Sequence, residues 1–151
     1  MLLALVIALL QISFMGALRF GGVVPNILLV LIVAIVVWGA ASEALAVAVV
    51  GGLLMDLSGG GIFGLAVSSL IVISLAMSAL RQAGIDGRAL PNRLVMVAIA
   101  TCTWWSIHIA ALGLGMFTDL ASWRILFIEV VINCCLALLI TERLLYGTRK
   151  V

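Results

Sequence analysis

Before Arg81 the chain carries only three charged side chains, Arg19, Glu43 and Asp56, in a background of leucine, valine, isoleucine and alanine. That scarcity of charge constrains the fold more than any motif does. A water-soluble domain must present a polar surface, and carries about 25% charged and roughly 45–50% apolar residues. Here the charged fraction is 9%, the hydrophobic fraction 66% and the mean hydropathy +1.44. Lipid is the solvent that fits, so the expected fold class is all-α, a polytopic transmembrane helix bundle. At 151 residues there is room for a single transmembrane domain, 1–151.

Glycine, proline and short polar clusters punctuate the apolar runs. The first run, about 2–18, is broken by Arg19, Gly21, Gly22 and Pro25. It holds no basic residue before Gln11 and outlasts a signal-peptide core, so it reads as a retained membrane helix. Residues 26–57 are long for one span and short for two. The Gly39–Glu43 segment is the polar break, which divides them into helices at 26–38 and 42–57. Short helices of this kind either thin the bilayer or are covered by neighbours. Further helices are expected at 63–80, 94–116 and 123–145, about six in all, with Pro91 near the start of the fifth.

Six spans put both termini on one face, together with the 81–93 loop. That face holds Arg81, Arg88, Arg93, Arg143, Arg149 and Lys150, leaving Arg19 and Arg124 opposite. The positive-inside rule makes the basic face cytoplasmic. A single helix over 26–57 would reverse the first helix alone, and charge does not decide between the two arrangements.

Polar groups at membrane depth are the candidate functional residues, because they are costly there. Asp56 enters a turn of three glycines, Gly59, Gly60 and Gly61. It is either a partner or ligand contact, or a turn acid that binds the backbone amides the glycines expose. Glu129 and Asn133 are four residues apart and share a helix face, which should point into the bundle. His108 lies well inside the fifth run, near Thr101, Trp104 and Trp105, where a contact with Glu129 is expected to be within reach. The plainer expectation for these groups is structural, as polar links between helices. Gly60 and Gly64 carry a GxxxG spacing, a weak sign of close packing in a chain with 15 glycines.

Several chemistries have no sequence support. The eight basic residues form no run for nucleic acid, and the net charge is only +2. Cys102, Cys134 and Cys135 lack metal-ligand spacing. There is no GxxxxGK[ST] loop, HExxH pair or nucleophile elbow. The expectation is a protein that is not an enzyme, with no catalytic residue, cofactor or metal.

The stretch Gly51-Gly-Leu-Leu-Met-Asp-Leu-Ser-Gly-Gly-Gly-Ile-Phe-Gly-Leu65 resembles the rod shape-determining protein MreD family. Gly52, Leu53, Leu54, Asp56, Leu57, Ser58, Gly59, Gly64 and Leu65 match its pattern. Pro25-Asn26 is similar to the start of that family's second helix, and Arg81 to the start of its basic loop. The match covers about residues 25–81, and chain length and helix number agree beyond it. The resemblance implies a multi-pass protein of the bacterial cytoplasmic membrane that belongs to the cell-elongation machinery. MreC would be its main partner, with RodA and a class B penicillin-binding protein reached through the complex and MreB filaments indirectly. It also implies a fold similar to the substrate-binding subunits of energy-coupling-factor transporters, and no catalytic residues. Asp56, Ser58, Gly59, Gly60, Gly64, His108, Glu129 and Asn133 are then the candidate partner or ligand contacts.

The competing reading is the vitamin-binding subunit of such a transporter. Ala4 and Ala8 give the small-xxx-small surface that those subunits use, although alanines at this spacing arise readily here. Against it, only Asp56, Trp123 and His108 offer polar or aromatic grips toward the outside, whereas ligand sites gather several. A lone small exporter is a third, weaker reading.

Overall fold

The computed structural model describes residues 23–59, 62–85, 87–113 and 120–147. They form five helices: α1 (Ile27–Trp38), α2 (Ala41–Gly59), α3 (Leu65–Gln82), α4 (Leu90–Leu112) and α5 (Leu120–Gly147). The last four are long and apolar enough to cross a membrane. The helix expected over 2–18, and with it the count of six, lies outside the described residues.

The 26–57 region is two helices divided at the Gly39–Glu43 segment, with bounds within two residues of the expected 26–38 and 42–57. Only Gly39 and Ala40 leave the helix, while Ser42 and Glu43 already belong to α2. Gly39 adopts φ +95°, its N–H bonding the Val36 carbonyl at 2.9 Å while Ala40 N–H reaches Ile35 O at 3.3 Å. This is the paired bonding of a Schellman end, where a left-handed residue satisfies carbonyls that the helix leaves open. The Arg81 guanidinium lies over it, 2.8 Å from where a Cβ would stand, and can move aside, so the backbone angle is what calls for glycine. That cation rests against the C-terminus of α1, the end favourable to positive charge.

α1 is the core of the bundle. Leu28, Leu29, Ile32, Val33, Val36 and Val37 are all buried, and the helix meets α2, α3, α4 and α5. With nine of its twelve residues buried it needs no polar face. At about 1.5 Å per residue it is only about 18 Å long, short of a hydrocarbon layer of about 30 Å. Its start is level with the middle of α5, since Asn26 bonds to Asn133, the fourteenth of the 28 residues of that helix.

Two glycines bring α2 close to its neighbours, Gly52 to α3 and Gly51 to α1. A Cβ on Gly52 would stand 2.6 Å from the Val67 Cα, and one on Gly51 would stand 2.5 Å from a Leu28 methyl. Removing side chains lets helix backbones approach in lipid, where dispersion replaces the hydrophobic drive. The boundaries of α4 differ from the expected 94–116 by four residues at each end. Pro91 sits in its first turn, where a missing N–H does no harm, and Gly113 (φ +95°) ends it. Likewise α3 is Leu65–Gln82 rather than 63–80, because Phe63 and Gly64 belong to the turn.

One end of the bundle gathers the basic groups. Arg81 lies on Gly39, and Gly87 packs under Val37 and Met96. Arg93, though buried, donates to the carbonyls of Gly87 (3.2 Å) and Arg88 (3.1 Å) and so ties the loop to α4. The Asp56 turn is at the opposite end.

Candidate functional site

Two polar assemblies stand out in this apolar bundle. The first is built on Asp56, near the C-terminal end of α2. A helix N-terminus leaves four amides without partners, usually served by a capping side chain. The residue at that position of α3 is Gly64, which has no side chain to offer and holds φ +91°. Asp56 fills the role from the preceding helix. Its Oδ1 accepts from Ala66 N–H at 2.9 Å, and its Oδ2 from Gly64 N–H and Val67 N–H, both at 3.1 Å. The carboxylate thus meets the positive end of the α3 dipole and makes charge-assisted bonds. No heavy atom lies within 4 Å of a Cβ at Gly64, so the glycine is required by its backbone angle alone.

Ser58 turns away from this assembly, donating to the Leu54 carbonyl of its own helix at 2.6 Å. Gly59 closes α2. Gly60, also a candidate, lies outside the described residues. Leu57, Ile62 and Phe63 are exposed around the turn.

The second assembly links α4, α5 and the start of α1. Asn133 is buried and works in two directions: its Oδ1 accepts from Asn26 N–H, and its Nδ2 donates to Thr101 Oγ1, each at 3.1 Å. Asn26 caps α1, its Oδ1 accepting from Leu29 N–H at 3.1 Å, as asparagine before a helix is disposed to do. The Thr101 hydroxyl in turn donates a hydrogen bond to the Val97 carbonyl at 2.9 Å. One turn away, Trp105 Nε1–H donates to Glu129 Oε2 at 2.7 Å. Thr101 and Trp105 are four apart on α4, as Glu129 and Asn133 are on α5. Two antiparallel helices with matching repeats therefore join at two successive turns.

The expected His108–Glu129 contact is not made. His108 Nδ1 bonds the Trp104 carbonyl at 2.9 Å, one turn back on its own helix, and its ring lies 4.2 Å from the Trp104 ring. The carboxylate takes the indole instead. Sequence reasoning passed over Trp105 as a donor, and the usable signal was chemical: a tryptophan N–H inside an apolar bundle needs an acceptor. Pro25-Asn26 does open a helix, as its resemblance implied, but the bond from Asn26 N–H to Asn133 had no signal in the sequence.

Among the described residues no buried side-chain nitrogen or oxygen lacks a partner, and no three of His, Cys, Asp and Glu converge as a metal site would require. The polar groups are thus spent on joining helices: Asp56 joins α2 to α3, and Asn133 with Glu129 joins α4, α5 and α1. Comparison with protein-family models, curated proteins and solved structures returns no match.

Proposed function

We propose that this chain is a non-catalytic scaffold of the bacterial cytoplasmic membrane, of the MreD type, which binds MreC and helps regulate lateral peptidoglycan synthesis and rod shape. One observation carries the reading. The residues behind the resemblance act as a unit, with Gly52 bringing α2 onto α3, Asp56 capping α3 and Gly64 turning the chain between them. A short motif that builds one device is better support than scattered identities. The use of buried polar groups as helix-to-helix links also suits a docking body.

In this proposal the basic end, with Arg81, Arg88 and Arg93, faces the cytoplasm, and the Asp56 turn faces outward. The enclosed α1 within longer helices suits a fold like the substrate-binding subunits of energy-coupling-factor transporters. RodA and a class B penicillin-binding protein would be reached through MreC.

The test is co-purification in mild detergent with MreC from the same bacterium. The expected result is a stable complex that is weakened when Gly64 becomes leucine in a protein still monodisperse. Absence of a complex with the unaltered chain overturns the reading. A purified protein that retains a vitamin would favour the transporter reading instead.

A further inference from the structure

On α4 and α5 the stripe that faces the core loses its cover partway along. On α4, Met96, Val97, Ala100 and Thr101 are buried, yet Trp104 and His108, which continue that side of the helix, are half-buried. On α5, Asn133 and Ala137 are buried, whereas Leu126 and Ser122 continue their stripe and are half-buried. The change falls where α1 begins, at the Asn26–Asn133 bond. Among the described helices α5 packs against α4 and α1 alone, so past the start of α1 only α4 covers it. The end of the bundle is not opened all round, because the stripe of α3 stays buried as far as Ala66 in its first turn. The space that α1 fills toward the basic end is thus a recess toward the Asp56 end.

Glu129 lies at the inner limit of that recess, one turn from Asn133 and only 5% exposed. Among the described residues its carboxylate accepts one hydrogen bond, from Trp105 at Oε2. No sealed side-chain oxygen there lacks a partner, so Oε1 borders the recess. His108 adds a second acceptor. Its Nδ1 must carry a proton, because the Trp104 carbonyl beside it can only accept, and in the neutral ring Nε2 then keeps a lone pair. The indoles of Trp104 and Trp105, both half-buried, contribute electron-rich faces.

We propose that this recess binds a small organic ammonium ion. The Glu129 carboxylate is its counter-ion, the indoles flank it, and His108 Nε2 accepts a proton from it in a hydrogen bond. An aromatic surround with one carboxylate is the chemistry that recognises such cations. A metal ion suits the recess less, since no three of His, Cys, Asp and Glu converge among the described residues. A carboxylate inside an apolar bundle is costly, and a bound cation offsets that cost. The site belongs to this chain alone and stands whether or not MreC binds. The ammonium group comes either from a soluble amine or from a phosphatidylethanolamine headgroup.

The experiment titrates the full chain in maltoside micelles with choline, and with dimethylbutanol, its uncharged carbon analogue, by isothermal calorimetry. Choline should bind saturably, and the alcohol about tenfold more weakly or worse. Glu129→Gln, which keeps an acceptor for Trp105, should weaken choline by about tenfold or more, whereas Glu43→Gln at the opposite end should leave it unchanged. If Glu129→Gln does not fold, His108→Lys sets a competing cation in the recess and should give the same loss. Nanodiscs separate the two sources. A soluble ligand is shown by equal choline binding in phosphatidylethanolamine and phosphatidylglycerol, and a headgroup ligand by choline excluded in the first alone. Three results overturn the inference: no saturable choline binding in micelles or phosphatidylglycerol, equal binding of choline and the alcohol, or full affinity in the folded variant.

Discussion

The α2–α3 hairpin and the α4–α5 pair solve the same problem, holding two helices together in lipid, by opposite means. The hairpin relies on what is missing: Gly52 has no side chain, so the Val67 backbone comes within contact distance. Its one polar device is local, an Asp56 carboxylate reaching amides eight to eleven residues onward. The α4–α5 pair relies on what is present, with bonds between residues 24 and 32 positions apart. Tight backbone packing leaves no room to adjust. Side-chain links give way singly, because each partner can find another neighbour in the unfolded membrane state.

That contrast can be broken by mutation, and the largest effect belongs to the hairpin. Gly52→Leu sets side-chain atoms against backbone rather than against a yielding side chain. Loss of about 3 kcal/mol or more is expected, read as a collapse of thermal stability in detergent. Asp56→Ala leaves three amides of α3 without their acceptor, for a loss of about 2–3 kcal/mol. Asp56→Asn, which keeps an acceptor oxygen, should recover part of it in the same assay. On the other pair, Asn133→Leu should cost about 1–2 kcal/mol, since it releases both Asn26 and Thr101. A double-mutant cycle between Trp105→Phe and Glu129→Gln should return a coupling of about 1 kcal/mol. The same cycle between His108→Ala and Glu129→Gln should return none, within about 0.3–0.5 kcal/mol. If Asn133→Leu proves worse than Gly52→Leu, the ranking of backbone packing over polar links is wrong.

The hairpin was also the more legible region. Its signals are short-range: an acid ahead of glycines, and glycines ahead of a new apolar run, each with a backbone consequence that follows from residue type. The break between α1 and α2 was readable for the same reason, and Ser42 and Glu43 lie inside α2, as the expected 42–57 helix has them. The α4–α5 pair was half legible. The four-residue spacing of Glu129 and Asn133 placed them on one face, but their partners depend on helix register. A shift of under one turn separates His108 from Trp105, and nothing in the sequence sets that register. The ends of α4 were misjudged because hydropathy continues past Gly113, while the helix stops where the backbone turns.

From Leu28 to Val37 every residue of α1 but Ile35 is buried by protein. A helix that borders the bilayer has a permissive stripe, where one apolar residue serves as well as another, and a demanding stripe against its neighbours. Tolerance to substitution along α3 should therefore rise and fall with the turn of the helix, in step with exposed Val72 and Leu75 and buried Leu70, Ile73 and Met77. Along Leu28–Val37 there is no such relief. The least polar segment of the molecule, whose sequence looks the most interchangeable, is the one with the least freedom to drift.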